Sequence, residues 1–176
     1  MPTFNKAKQK PLPPEGVVKC QIMAVDQGRS SKKNVPFFKL HLRNLESGLE
    51  FTDSVYHTEN AAWKMEALCR SAGLSLPEGD AGYKLTTDDL VGRTIYGPLK
   101  HRALPNSGKH VAEFGSFWSR EHAIKQDPDI QNIPDPVDVP EPVTLTAART
   151  PTVRLVTPEE RGMEELSMAD LRELGL

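Results

Sequence analysis

Phe37-Phe38-Lys39-Leu40-His41-Leu42-Arg43 is the stretch on which the reading of the fold turns. Apolar and polar residues alternate along it with a period of two, the spacing at which an extended strand points its side chains to opposite faces. Phe38, Leu40 and Leu42 then make one face, suited to a core. Phe37, Lys39, His41 and Arg43 make the other, which sets three potential cations and a phenyl ring on a single surface.

Outward from this strand the same logic continues. Before it, Gln27 to Pro36 holds Gly28, Arg29, Ser30, Ser31, Lys32, Lys33 and Asn34, a small, polar and cationic run that reads as a projecting hairpin loop. Val17 to Asp26 alternates again: Val18, Cys20, Ile22 and Ala24 share a face opposite Lys19, Gln21 and Met23, as expected of a half-buried strand. Residues 1–14 are basic and proline-rich and read as a flexible arm. After the central strand, Asn44 to Gly48 turns the chain into a third strand, Leu49 to His57, with Leu49, Phe51 and Val55 inward and Thr52, Ser54 and Tyr56 outward.

Thr58 has the chemistry of an N-cap for a helix ending at Gly73, with Ala62, Met65, Leu68, Cys69 and Ala72 as its apolar stripe. Thr87 to Gly92 reads as one capped helical turn, which makes Asp88 and Asp89 helix-start residues before metal ligands. A strand from Arg93 to Arg102, a turn over Pro105–Lys109 and a last strand from His110 to about Trp118 complete the domain. Three strands, a helix and two further strands match a mainly β fold, a five-stranded OB-like barrel with one helix inserted after the third strand. A barrel or sandwich of another topology fits the same list.

Charge divides the chain. Residues 1–120 carry 17 Lys and Arg against 12 Asp and Glu, whereas residues 121–176 carry 5 against 12. All eleven aromatics lie between Phe4 and Trp118, and seven of the fifteen prolines fall between Asp127 and Pro158. A segment with no aromatics and frequent fixed φ angles has little with which to build a core. The expected organisation is an arm over 1–14, a domain over 15–120 and an acidic, proline-rich disordered tail over 121–176. Within the tail, Thr157-Pro158-Glu159-Glu160 and the Ser167–Asp170 pair resemble helix starts. Short amphipathic helices near 158–174 would offer Met163, Leu166, Leu171 and Leu174 to a protein partner. Cys20 and Cys69 read as core thiols. No signal peptide opens the sequence and no apolar run approaches the ~18 residues of a membrane helix, so no membrane partner is expected.

The cationic and aromatic faces carry the functional reading. Phosphates attract Lys and Arg whatever the base sequence, and unpaired bases stack on aromatic rings. Phe37, Tyr56 and Tyr96 are candidate stacking platforms. Arg29, Lys32, Lys33, Lys39, His41, Arg43, Lys100 and Arg102 are candidate phosphate contacts, with Tyr96, Lys100 and Arg102 sharing a face opposite Ile95 and Leu99. Trp63 reads as a helix-surface or core-edge residue; Trp118 fits either core or surface. No phosphate-cradling glycine loop, HExxH or GxSxG motif is present, and neither the histidines nor the cysteines have metal-ligand spacing. No enzyme activity, metal or cofactor is therefore expected. The rival to strand binding is a protein-interaction barrel that touches no DNA.

Three motifs in order add a resemblance: Pro13-Pro14-Glu15-Gly16 opening a strand, then Lys32-Lys33-Asn34-Val35-Pro36-Phe37-Phe38-Lys39-Leu40, then Asp89-Leu90-Val91-Gly92-Arg93. Over about residues 12–102 the chain resembles a family of phage-encoded OB-fold proteins, some of them single-stranded DNA-binding proteins. Glycine is more usual in that family where Asn34 stands, and asparagine adopts the same left-handed turn. The resemblance implies single-stranded DNA as ligand, replication and recombination as setting, and the cytoplasm of an infected bacterial host as location. It also resembles the wider class whose acidic tails recruit phage or host replication proteins and compete with DNA for the basic groove. The final Gly175-Leu176 lacks the terminal aromatic of several such tails.

Overall fold

The computed structural model describes residues 2–3, 9–79 and 82–147. The chain begins as a meander: β1 (Gly16–Arg29), β2 (Pro36–Asn44) and β3 (Glu50–Tyr56), each antiparallel to the next. The alternation holds where it was clearest. Phe38, Leu40, Leu42, Phe51 and Val55 are buried, while Phe37, Lys39, His41 and Arg43 face away from them. Asn34 takes φ +51° at the tip of the β1–β2 loop, which is fastened by Arg29 Nη1 donating to the Asn34 carbonyl at 3.0 Å and by Ser30 Oγ accepting from Val35 N at 3.1 Å.

β1 departs from simple alternation at one point. Ile22 lies opposite Leu42 and Ala24 opposite His41, so Met23 is an extra residue, a β-bulge. An inserted residue reverses the parity of all that follows. Ala24 is accordingly exposed, against the sequence expectation, and Val25 packs on the core in its place.

Thr58 Oγ1 accepts from Ala61 N at 3.1 Å and caps a short 3₁₀ turn that leads into α1 (Ala62–Ser71). Met65, Leu68, Cys69 and Ala72 of the expected stripe are buried; Ala62, at the first turn, is exposed. Two residues of β4 (Leu74–Ser75) follow, then α2 (Thr87–Leu90), capped by Thr86, with Asp89 completing the capping box. β5 (Thr94–Ala103) and β6 (His110–Phe114) complete a strongly curled five-stranded antiparallel half-barrel of order β3-β2-β1-β5-β6. β6 ends earlier than expected, and Trp118 pairs with the sheet through a single bridge to Tyr96. A Cβ on Gly97 would stand 2.3 Å from the Ser116 carbonyl, so only glycine lets the chain after β6 cross β5 this closely. Cys20 and Cys69 are both buried and unpaired; burial pushes their thiols up, Cys69 to about 12.

The outer strands β3 and β6 meet through side chains. Asp53, on the inward parity of β3 between Phe51 and Val55, accepts the Phe114 N–H at 3.0 Å and the Ser54 N–H at 2.8 Å. Lys64 of α1 donates to the Phe114 carbonyl at 3.0 Å. The Phe51 and Phe114 rings lie 6.0 Å apart beneath them.

The expectation of a disordered tail from residue 121 is not met over residues 121–147. α3 (Arg120–Gln126), a 3₁₀ turn over Pro128–Asn132 and β7 (Val143–Thr144) are folded onto the body. β7 pairs in parallel with β4. Ala123, Ile130 and Leu145 are buried. Leu145 joins the main core, whereas Ala123 and Ile130 build a second cluster on the sheet. This cluster lies on the outward side of β1 and β5, where Val17, Tyr96 and Trp118 pack against Ala123, Ile130, Ile124 and Ile133. Lys19, expected outward, is buried there with 3% of its side chain exposed. Its ammonium is satisfied by Asp135 at 2.6 Å and by the Ile133 carbonyl at 2.7 Å.

The last residues of the N-terminal arm are also engaged: Pro13 is buried, Leu12 packs on the core, and the Pro13 carbonyl lies 2.6 Å from His101 Nε2. Met163, Leu166, Leu171 and Leu174, with the helices expected near 158–174, lie outside the described residues. No helix among the described residues is long and apolar enough to cross a membrane.

Candidate nucleic-acid interface

The pairing of β1, β2 and β3 orders the outward side chains into cross-strand rows. Gly28, Phe37 and Tyr56 form the first; Asp26, Lys39 and Ser54 the second; Ala24, His41 and Thr52 the third; Gln21, Arg43 and Glu50 the last. In the first row the Phe37 ring leans over Gly28, where a Cβ would come within 2.9 Å of its tip. The same ring lies 5.4 Å from that of Tyr56, tilted by 48°. Phe37 is half-buried between them, and Tyr56 is the freer ring, 44% exposed. The loop that carries Arg29, Lys32 and Lys33 springs from this same end, since Arg29 and Pro36 pair immediately beyond Gly28 and Phe37. Lys32, Lys33 and Lys39 are exposed and form no ion pair among the described residues.

Further along, the cations have partners of their own. His41 Nε2 lies 2.6 Å from Asp26 Oδ2, and Arg43 reaches Glu50 at 2.7 Å. These carboxylates were not singled out in the sequence. The signal that finds them is cross-strand position: Arg43 and Glu50 are direct partners, and Asp26 sits one row from His41. Opposite charges in such positions meet.

The remaining candidates divide. Lys100 and Arg102 are exposed on β5, and Arg102 pairs with Glu113 at 3.0 Å. They lie past the end of the β1–β5 ladder, where Leu99 opposes Gly16, whereas Phe37 opposes Gly28 at the other end of β1. The two ends, Gly16 and Gly28, are twelve positions apart on the bulged, curled β1. The sequence-derived set therefore divides along β1 into a group around Phe37 and a pair on β5. Tyr96 belongs to neither: it is 5% exposed, and burial pushes its phenol up. Its expected role as a stacking platform is corrected by the residues from 118 onward that cover it. Pattern reading places Tyr96 on the outward face correctly; what it lacks is the knowledge that a later segment returns to that face. Trp63 is exposed on α1, and Trp118 stacks edge-on with His122 at 4.7 Å.

A patch with one free ring, one supporting ring and several unpaired ammonium groups can hold a flat apolar group beside an anionic one. That combination is the chemistry of a nucleotide in an unpaired strand. Compared with known proteins, the chain matches no family model and no curated protein.

Proposed function

We propose that this protein binds single-stranded DNA on the outward face of β1–β3, with Tyr56 as the principal stacking ring. The observation that carries this reading is the Gly28–Phe37–Tyr56 row beside a loop bearing Arg29, Lys32 and Lys33. Gly28 leaves room for Phe37, Phe37 supports Tyr56, and Tyr56 offers a face to a base. Lys32, Lys33 and Lys39 hold the phosphates on either side. The order of three strands, a helix and two strands supports an OB-like barrel, and the resemblance of residues 12–102 to phage-encoded strand binders supports DNA as the ligand. The mechanism is passive. The protein sequesters unpaired strand, shifts hairpins toward the open form by mass action, and leaves residues 158–174 for replication or recombination partners in an infected bacterial cytoplasm.

One observation favours a second reading, a protein-interaction barrel. The pairs His41–Asp26, Arg43–Glu50 and Arg102–Glu113 leave much of the surface locally neutral, as a protein-binding face would be. Fluorescence anisotropy of a labelled oligonucleotide, single-stranded and duplex, over a salt series separates the two. Strand binding predicts tighter association with the single strand and a fall of log K with log salt of about −0.7 per phosphate contact. No association with either form favours the interaction barrel, and equal affinity for both forms overturns stacking on Tyr56 as the basis of binding.

A further inference from the structure

A cleft of about 350 Å³ opens where the N-terminal arm crosses the end of the half-barrel. Leu12 of the arm, Met23, Phe51 and Val111 make apolar walls, and Lys10, His41 and Thr52 contribute polar atoms at its rim. We infer that this cleft receives one unpaired base of the bound strand, a second base subsite beyond Tyr56. The inference rests on the strand-binding reading above.

Three observations support it independently. The first is continuity. His41 and Thr52 are cross-strand partners in the third outward row of the β1–β3 face and also line the cleft, so a strand lying on that face reaches it without leaving the surface. The distance from Phe37 to His41 is four residues of β2, about 13 Å. The second is the bulge. Met23 is the inserted residue of β1, and it is 39% exposed although large and apolar. Bulges redirect a side chain locally, and this one turns an unbranched, polarizable thioether into the cleft. Such a side chain adapts to flat aromatic faces. The third is the mixture of groups. A base needs apolar contact on its faces and hydrogen-bonding atoms at its edge. The walls supply the first; the Thr52 hydroxyl, the Lys10 ammonium and the His41 imidazole supply the second. Glu50, also on the rim, is held by Arg43, which lessens its repulsion of an incoming phosphate.

The test uses the full chain labelled with ¹³C at the methionine methyls and titrated with a short thymidine oligonucleotide, with anisotropy recorded in parallel. The Met23 methyl is expected to move upfield, under the ring current of the base, in step with the anisotropy. The methyl of core Met65 stays in place. A strand of the same length built from abasic units binds through its phosphates and leaves Met23 unmoved. Met23→Trp, which fills the cleft, weakens the thymidine strand about tenfold and leaves the abasic strand unaffected. Saturating anisotropy with an unmoved Met23 methyl, or equal movement with the abasic strand, overturns the base subsite and leaves strand binding standing. No anisotropy change with either strand overturns both.

Discussion

Phe37 and Phe38 are neighbours with opposite environments, and substitution separates their roles. Phe38 is buried against His57 and the core, so Phe38→Ala is expected to remove about 3–5 kcal/mol of stability in chemical denaturation. Tyr56→Ala removes an exposed ring; it should weaken single-strand binding by about 1–3 kcal/mol and leave the denaturation midpoint nearly unchanged. A stability loss for Tyr56→Ala as large as that for Phe38→Ala would show that the ring serves the core. Asp53 makes a residue-scale prediction in pH. Burial, the dominant influence, raises its carboxyl above the ordinary 3.8 despite the two backbone N–H groups it accepts. The folded chain then holds that proton more tightly than the unfolded chain. The stability tied to Asp53 is present in full below 3.8 and is lost as pH rises through the folded value. Relative to Asp53→Asn, the natural protein should lose stability with rising pH in that window, as unfolding curves at several pH values would show. A constant difference across the window would mean that Asp53 titrates alike in both states.

The elements differ in how far sequence announces them. Removing residues after Ile124 takes away Ile130 and Leu145 and uncovers Val17, Tyr96 and the Lys19 ammonium. Two buried aliphatic side chains, at about 2 kcal/mol each, make that truncation about 4 kcal/mol less stable than one made after Ala147. Comparison of the two denaturation midpoints checks this; equal midpoints would mean that residues 125–147 add nothing to the fold. Strand β2, the Thr58 cap, the short helical turn beginning at Thr87 and the loop that holds Asn34 were legible because each depends on near neighbours. Residues 120–147 were not. The three apolar side chains that become buried, Ala123, Ile130 and Leu145, are spaced too widely to show a strand or helix period, so composition alone reads as tail. The Met23 bulge was equally hidden, since nothing in Ile22-Met23-Ala24 marks an inserted residue; its register comes from β2. On the candidate interface, parity placed Phe37, Lys39, His41, Arg43 and Tyr96 on the outward face, but it carries no sign that later residues return to cover Tyr96.

At the scale of the molecule, electrostatics determine how firmly the proposed face holds a strand. Asp26 and Glu50 already pair with His41 and Arg43, so on the proposed reading they would compete with phosphates for both side chains. Exposed pairs of this kind contribute little to stability, so Asp26→Asn combined with Glu50→Gln should leave folding nearly intact. The double variant is expected to bind single-stranded DNA several-fold more tightly at low salt and to steepen the salt slope by about 0.7 for each cation released. An unchanged slope in an anisotropy series would place the phosphates away from Arg43 and His41. The contact between Lys19 and Ile133 spans 114 positions of the chain, and this separation has a kinetic consequence. The β1–β2–β3 meander joins near neighbours and can form early, whereas closing so long a loop is slow. The covering of Lys19 therefore comes later than the meander. Pulse-labelling by hydrogen exchange should find the amides of β2 protected before that of Ile133.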